Sequence, residues 1–402
     1  MNKVKPRAVL SAIFAVCMTA AFCIPIGYMS VSTLTKEKES YSYYENRLLA
    51  EEPEYTTDGL LSGALMNDIE TYIKDHATLR DSIVGIYTAM NLDILKRPVV
   101  NGVVITDDAL LPYNAPERVS DDEIAEAADK TAANLRLHSE EVGAYGGYFC
   151  YVAVPCQYVF FEDSYPTYLG NRSEYTAASS AALFSRLDSC GVNYIDMKAV
   201  FDSLGARPEF SSTVDNHYGI IGAYETYRAI MNNIIEGSPF RPYVLTEESS
   251  TLTTLPNDYL GSRSRKLLGM RGGNEKLSII EPINNIPFDR YDNDNTDPIH
   301  IVYNIPSDPN ERVLYELYMS GDVAKTVIET DRPELPSILI YGDSFTNPVE
   351  CIAYTGFDTM YSYDFRHYDE MSLSEIIEEY KPDAVVCIRD YEAMLNYESN
   401  GC

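Results

Sequence analysis

Short apolar runs and longer amphipathic segments alternate along most of the chain. An apolar run of four to eight residues predicts a strand, whereas apolar residues that recur every three or four positions predict a helix. Strands are predicted at 147–154, 192–197, 338–341, 359–363 and 384–388. Helices are predicted at 121–142, 173–187, 220–235, 348–354 and 373–380. This alternation favours an α/β fold with helices on both faces of a mostly parallel sheet.

Two further segments show a different pattern. Between residues 60 and 95, apolar side chains recur every four positions, which predicts a helix with one face directed to a core. The residues of this face are Leu61, Leu65, Ile69 and Ile73. The segment 246–331 breaks the strand–helix rhythm and predicts an insertion of short strands and loops.

The N-terminus carries an uncharged, mostly apolar run at residues 8–31, which follows Lys3, Lys5 and Arg7. A helix of this length spans roughly 36 Å, enough for a hydrocarbon core of about 30 Å. The basic residues before it predict a cytoplasmic N-terminus. A cleaved signal peptide is the alternative, but the run is long for one and lacks a clear small-x-small cleavage site.

These patterns predict three parts of a single-pass protein of the cell membrane. Residues 1–31 form a cytoplasmic tip and transmembrane anchor, residues 32–58 a polar, tyrosine-rich stalk, and residues 59–402 an ectodomain that contains the insertion. The ectodomain is expected to be extracytoplasmic.

The composition narrows the range of partners and cofactors. The chain has 31 Lys and Arg against 61 Asp and Glu, a formal net charge of −30. Nucleic acids are bound by fields of basic residues, so no nucleic-acid partner is predicted, and membrane contact is expected only through the N-terminal helix. The cysteines and the five histidines show no metal-site spacing, so neither a metal nor a cofactor is predicted.

A possible nucleophile follows the predicted strand 338–341. Gly342-Asp343-Ser344 comes directly after that strand and just before a helix. A strand-to-helix turn exposes a side-chain oxygen at the edge of the sheet beside free backbone N–H groups, which suits a nucleophile and an oxyanion hole. Alternatively, Ser344 only caps the helix.

A base for this serine is found in Asp215-Asn216-His217. In an extended segment, residues two apart point to the same face, which lets Asp215 orient and charge-stabilise the imidazole of His217. Alternatively, Asp215 caps the next helix and His217 packs locally. Together with Ser344, the pair favours a catalytic site at the carboxyl ends of the strands.

The order of these motifs resembles that of the DHHW proteins and of the related AlgJ/AlgX-type alginate O-acetyltransferases. In those proteins an SGNH-hydrolase-like site occurs in permuted order, with Asp-x-His before Gly-Asp-Ser. Further similar pieces are Tyr44 to Ala50, Asn101 to Val104, Val154-Pro155, Leu260 to Ser262 and Tyr363 to Tyr368. The resemblance implies a three-layer SGNH-hydrolase-like domain with Ser344, His217 and Asp215 as catalytic residues.

The chain also departs from the DHHW signature. Its second His and its Trp are replaced by Asn216 and Tyr218, which leaves the base and its orienting carboxylate in place. By the family pattern, Arg366 is a candidate to line the site and steady negative charge. Tyr218 and Asn347 are further candidates for contacts with the substrate or the oxyanion.

The resemblance implies an O-acyltransferase, with acetyl the expected group, that acts on a polysaccharide or envelope glycan. It also implies a multi-pass membrane acyltransferase as the partner that supplies the acyl group. A carbohydrate esterase would use the same residues with water as acceptor. A non-catalytic envelope-assembly or glycan-binding protein is a third possibility, since the 33 tyrosines offer sugar-stacking faces.

Overall fold

The computed structural model of the protein describes residues 13–24, 27–28, 39–44, 47–77, 79–113, 119–170, 172–273, 275–293 and 295–397. The chain folds as two units, Met1–Val100 and Asn101–Cys402. The predicted division into anchor, stalk and ectodomain stays a prediction.

The first unit contains short helices where one long helix is predicted. These are α1 (Thr57–Ser62), α2 (Ala64–His76) and α3 (Arg80–Ala89), and a π-helical turn follows at Met90–Ile94. Its strands are β1 (Tyr41–Ser42), β2 (Arg47–Leu48) and β3 (Val99–Val100). The single helix predicted at 60–95 is therefore wrong, because Gly63 and Leu79 adopt left-handed φ values of 83° and 67°. Helices separated by such residues change direction.

Residues 13–24 and 27–28 are helical. Across the part of the chain that the structure describes, no helix is both long and apolar enough to cross a membrane. The rest of the predicted anchor, at 8–12, 25–26 and 29–31, lies outside the described residues.

The second unit is built on a seven-stranded sheet, which confirms the predicted α/β fold with a mostly parallel sheet. Its strands are β6 (Tyr148–Val154), β7 (Tyr194–Asp196), β10 (Asp289–Asp292), β11 (Lys325–Glu329), β12 (Ile338–Gly342), β13 (Thr359–Tyr363) and β14 (Ala384–Asp390). They are arranged in the order β10-β11-β13-β12-β14-β6-β7. The five strands from β13 to β7 are parallel, and β11 and β10 are antiparallel additions at one edge.

The segment 246–331 contributes to this sheet as well as to a smaller one. It supplies both antiparallel edge strands, β10 and β11. It also forms a separate two-stranded antiparallel sheet from β8 (Ser250–Thr254) and β9 (Ser278–Pro282). The remaining strands of the unit, β4 (Val103–Ile105) and β5 (Leu110–Pro112), pair antiparallel with each other.

Helices cover the sheet in two groups. The helices of the unit are α4 (Asp121–Ala144), α5 (Gln157–Phe160), α6 (Ser173–Cys190), α7 (Met197–Ser203), α8 (Ile220–Gly237), α9 (Ser262–Lys266), α10 (Thr346–Ala353) and α11 (Leu373–Tyr380). Helices α4, α6 and α11 pack together, and α8 packs with α10. Every residue of β6, which contacts both α4 and α8, is buried, as expected for a strand covered on both faces.

The carboxyl ends of the central strands are close together. Gly342, the last residue of β12, is paired with Ile388 of β14. A Cβ atom at Gly342 would lie 1.9 Å from the Ile388 carbonyl oxygen, so only glycine fits between the two strands. The turn that follows β12 is thereby held against the end of β14.

Candidate active site

Ser344 lies on a tight turn between β12 and α10, which we call the nucleophile turn (Asp343–Phe345). Asp343 Oδ1 accepts the Phe345 N–H at 3.0 Å, and the Asp343 carbonyl accepts the Thr346 N–H at 2.9 Å. Asp343 and Phe345 are buried, while Ser344 is half-buried. No side chain caps α10, so Ser344 does not serve as its capping residue.

A buried ionic group fixes the base of the nucleophile turn. Asp343 Oδ2 accepts the Asp390 N–H at 3.0 Å and lies 3.7 Å from Nε of Arg389, whose side chain is fully buried. Burial, together with the charge of Asp343, raises the pKa of Asp390 to about 7. Two carboxyl groups and one guanidinium group thus lie directly beneath Ser344.

His217 connects Ser344 to Asp215 through a continuous chain of hydrogen bonds. Nε2 of His217 is 2.7 Å from Ser344 Oγ, and Nδ1 is 2.5 Å from Asp215 Oδ1. A carboxylate at Nδ1 holds the proton on that nitrogen, which leaves the Nε2 lone pair to accept the serine hydroxyl. The arrangement suits proton transfer from Ser344 Oγ to the imidazole.

Asp215 is buried and remains ionised. Burial alone would raise its pKa, but the imidazole of His217 and the N–H groups of His217 and Ser262 hold that pKa well below its usual range. The Ser262 N–H donates to Asp215 Oδ2 at 2.5 Å. This charge-assisted hydrogen bond orients the carboxylate towards the imidazole.

The backbone of this segment differs from the sequence prediction. Residues 213–217 form a bend instead of an extended strand. The His217 N–H donates to Asp215 Oδ1 at 3.1 Å, which closes a local turn of the Asx type. The predicted extended geometry is therefore wrong, and the two side chains meet because the chain bends back.

Aromatic rings surround the imidazole. The ring of Tyr315 stacks on His217 with centroids 3.5 Å apart and planes 6° apart. The Tyr315 hydroxyl donates to the Ser344 carbonyl at 2.8 Å. Phe345 lies at a tilt, with its centroid 5.2 Å from that of His217. No sequence motif marks Tyr315, which lies in the segment 246–331, and sequence reasoning missed it.

The three further predicted site residues are engaged with protein partners. The Tyr218 hydroxyl donates to the Phe345 carbonyl at 2.5 Å, and Tyr218 is buried. Asn347, on the first turn of α10, is buried and donates from Nδ2 to Asp322 Oδ1 at 3.0 Å. Arg366 binds the carboxylates of Asp364 and Asp322. A role for these residues with substrate or oxyanion stays a prediction.

Asp322, Asp364 and His367 form the one group in the described ranges whose ligand atoms are close enough to share a metal ion. Both carboxylates are already paired with Arg366, which donates to each at 2.9 Å or less. Burial opposes the effect, but the two carboxylates raise the pKa of Arg366 above its usual range. The group is therefore satisfied as an ion-pair network.

One backbone donor at the site is available for an oxyanion. Within the described residues, the Ser344 N–H has no protein acceptor at hydrogen-bond distance. It belongs to the same residue as Ser344 Oγ, so it would lie beside a carbonyl group attacked by that oxygen. A donor placed in this way stabilises the charge of a tetrahedral intermediate.

Sequence comparison finds no matching family model and no matching curated protein. Comparison of structures finds PatB1 of Bacillus cereus at 18% identity and a TM-score of 0.60, covering 73% of this chain and 96% of that one. A DHHW family protein from Eubacterium siraeum matches at 17% identity and a TM-score of 0.56, covering 75% and 95%. These likenesses establish a shared fold.

The O-acetyltransferase domain of Pseudomonas putida AlgJ is also among the structural neighbours, at 10% identity and a TM-score of 0.45, covering 73% of this chain and 92% of that one. The resemblance of the sequence motifs to DHHW proteins is thus accompanied by a shared fold.

Proposed function

We propose that the protein transfers an acyl group, acetyl in the first instance, to a hydroxyl of a polysaccharide or envelope glycan. The observation that carries this proposal is the hydrogen-bond chain from Asp215 through His217 to Ser344 Oγ. A buried carboxylate, an imidazole and an accessible serine in this order match the requirements of nucleophilic acyl transfer.

In the first half of the reaction, Ser344 Oγ attacks the carbonyl carbon of the acyl donor. His217 Nε2 takes the hydroxyl proton, and Asp215 stabilises the resulting imidazolium. The oxyanion forms beside the Ser344 N–H. When the intermediate collapses, the bond to the leaving group breaks, the imidazolium protonates that group, and an ester on Ser344 remains.

In the second half, the same groups act on the acceptor. A sugar hydroxyl attacks the ester on Ser344, and His217 Nε2 takes its proton. Collapse of the second intermediate breaks the bond to Ser344 Oγ, which recovers its proton from the imidazolium. The acyl group leaves as an ester of the sugar, and the enzyme returns to its starting state.

The setting of this reaction is part of the proposal. An N-terminal anchor at 1–31 would hold the acidic catalytic unit outside the cytoplasm, near a glycan of the envelope. Acetyl groups are made in the cytoplasm, so a multi-pass membrane acyltransferase is proposed as the donor that delivers them. The resemblance to AlgJ/AlgX-type proteins supports this arrangement.

The test follows acetyl transfer by the purified full-length chain. With p-nitrophenyl acetate as donor, we expect slow release of p-nitrophenol and an acetyl adduct on the peptide that contains Ser344. An oligosaccharide acceptor should accelerate release, because water is a poor substitute for the sugar hydroxyl. Ser344→Ala and His217→Ala should each lower the rate by about 10⁴-fold, since members of a triad act as a unit.

The outcomes separate the proposed transfer from its alternatives. Fast hydrolysis that is indifferent to acceptors identifies an esterase. Wild-type protein that matches Ser344→Ala with every donor and acceptor rejects a catalytic role and favours a glycan-binding or assembly protein. Ser185→Ala serves as the matched control, because this hydroxyl lies on α6 and takes no part in the hydrogen-bond chain.

A further inference from the structure

The closest aromatic contact in the catalytic group is made by a residue outside the Ser-His-Asp set. Tyr315 opens a short 3₁₀ turn at Tyr315–Leu317, in the segment 246–331. Its ring lies nearly parallel to the His217 imidazole, with the two centroids 3.5 Å apart and the two planes inclined by 6°. Tyr318, which is fully buried, packs edge-on against Tyr315 at 5.5 Å. The stacked ring is thus supported from behind.

The two hydrogen bonds of His217 restrain small tilts of the ring only weakly, because a hydrogen bond tolerates moderate changes in its angle. A small rotation about the Cβ–Cγ bond of His217 would turn the Nε2 lone pair out of line with the Ser344 hydroxyl. A flat surface against the ring prevents this rotation, and Tyr315 provides that surface.

Tyr315 also binds the residue to which His217 must be aligned. Its hydroxyl donates to the Ser344 carbonyl at 2.8 Å. One side chain therefore contacts both the base and the backbone of the nucleophile. Tyr218 makes a comparable bond to the neighbouring Phe345 carbonyl, but its ring packs on Phe345 at 5.0 Å.

We propose that Tyr315 is a positioning residue, whose ring sets the plane of the His217 imidazole and whose hydroxyl fixes Ser344 relative to it. This inference rests on the proposed acyl transfer and deepens it. It also gives the segment 246–331 a function, since that segment would complete the catalytic geometry in addition to extending the sheet.

The test compares two substitutions in the full-length chain, with p-nitrophenyl acetate as substrate. Tyr315→Leu removes the stack and the hydroxyl, and kcat should fall on the order of 10- to 100-fold with KM unchanged, as misalignment of reacting groups by an ångström does. Tyr315→Phe keeps the stack and loses one hydrogen bond, so kcat should fall by less than about tenfold. Tyr380→Leu is the control. It removes a ring that stacks on Tyr361, outside the Asp215–His217–Ser344 hydrogen-bond chain, and should keep wild-type kcat.

A second measurement reports the stack without relying on turnover. In protein labelled with ¹³C at histidine Cε1, the Hε1 proton of each histidine gives one NMR signal, and His217→Ala identifies the signal of His217. The ring of Tyr315, stacked face to face on the imidazole, shields this proton. The signal should move downfield in Tyr315→Leu and stay in place in Tyr315→Phe. An unchanged signal in Tyr315→Leu would overturn the proposal.

The kinetic outcomes distinguish this inference from the proposed function. If wild type is active and Tyr315→Leu retains its kcat, the positioning role is rejected while acyl transfer stands. Equal losses in Tyr315→Phe and Tyr315→Leu would assign the effect to the hydroxyl and reject the role of the ring. If wild type only matches Ser344→Ala, acyl transfer fails and the positioning role fails with it, while the histidine signal still reports whether Tyr315 stacks on His217.

Discussion

At the scale of single residues, the nucleophile turn depends on charges that lie beneath it. The backbone N–H of Asp390 donates to the carboxylate of Asp343, and Arg389 is the cation beside that carboxylate. Burial and the Asp343 charge raise the pKa of Asp390 to about 7, well above the usual value for aspartate. The proton on Asp390 therefore relieves repulsion beneath Ser344.

This arrangement predicts the pH dependence of stability. A carboxyl group whose pKa is higher in the folded than in the unfolded state favours folding fully below the unfolded pKa, near 3.8, and this contribution is lost as the pH rises through about 7. Asp390→Asn should therefore gain stability over wild type at pH 8, by on the order of 1 to 2 kcal/mol after solvent screening, and match it below pH 4.

Thermal melts of both proteins from about pH 3 to 8 provide the measurement. Asp107→Asn, at an exposed loop position, is the control and should follow wild type throughout. A constant difference between Asp390→Asn and wild type across this range would contradict the prediction, because it would indicate a structural effect without titration.

The sequence predicts the residue types of the site better than their surroundings. Asp215, His217 and Ser344 are identified by their order and spacing, and they lie in hydrogen-bond contact. Tyr315 has no such signal, because a stacking contact depends on how a distant loop folds over the imidazole. The bend at 213–217 escapes prediction for a similar reason, since Asp-x-His is compatible with both an extended and a turned backbone.

At the scale of helices and strands, close backbone contacts determine where α8 begins. A Cβ atom at Gly222, in the first turn of α8, would lie 2.1 Å from the Phe210 carbonyl oxygen. This backbone oxygen also accepts the Gly219 N–H at 3.2 Å. The helix therefore approaches the preceding 3₁₀ turn at Pro208–Phe210 as closely as glycine permits. His217 lies just before this contact in the chain.

Two glycine substitutions test the importance of that approach. Gly222→Ala should destabilise the protein by about 1 to 3 kcal/mol, because the new methyl group meets backbone that must shift. Gly143→Ala, in α4, should stabilise it by about 0.5 to 1 kcal/mol, because its Cβ enters open space and alanine favours the helix. Urea unfolding measures both changes, and the same sign for the two variants would count against the argument.

The parallel part of the sheet is predictable from sequence because its strands are buried on both faces. Strand β13 and helix α11 have the predicted bounds, and helix α4 begins at the predicted residue, Asp121. The edge strands β10 and β11 are not predictable in this way, because antiparallel edge strands carry mixed polar and apolar residues. The helices of the first unit divide at left-handed residues, and such a residue at Leu79 has no signature in the sequence.

At the scale of the whole molecule, the net charge and the apolar run at residues 8–31 determine where in the cell the protein is expected. A net charge of −30 keeps the chain away from anionic lipid surfaces, so attachment would depend on the apolar run alone. The basic residues Lys3, Lys5 and Arg7 are the only charged side chains that precede the run. By the positive-inside tendency they predict a cytoplasmic N-terminus.

The last prediction concerns this orientation. When protease is added to spheroplasts that carry the protein with a C-terminal tag, the tag should be lost while a cytoplasmic marker survives. The protein should also stay in the membrane fraction after alkaline carbonate, whereas a cleaved signal peptide would release the rest of the chain. Replacing Lys3, Lys5 and Arg7 with glutamate should reduce the share of correctly oriented protein, because the positive-inside signal is then reversed. A tag that resists protease until the cells are lysed would place the second unit in the cytoplasm and remove the envelope glycan from the proposed acceptors.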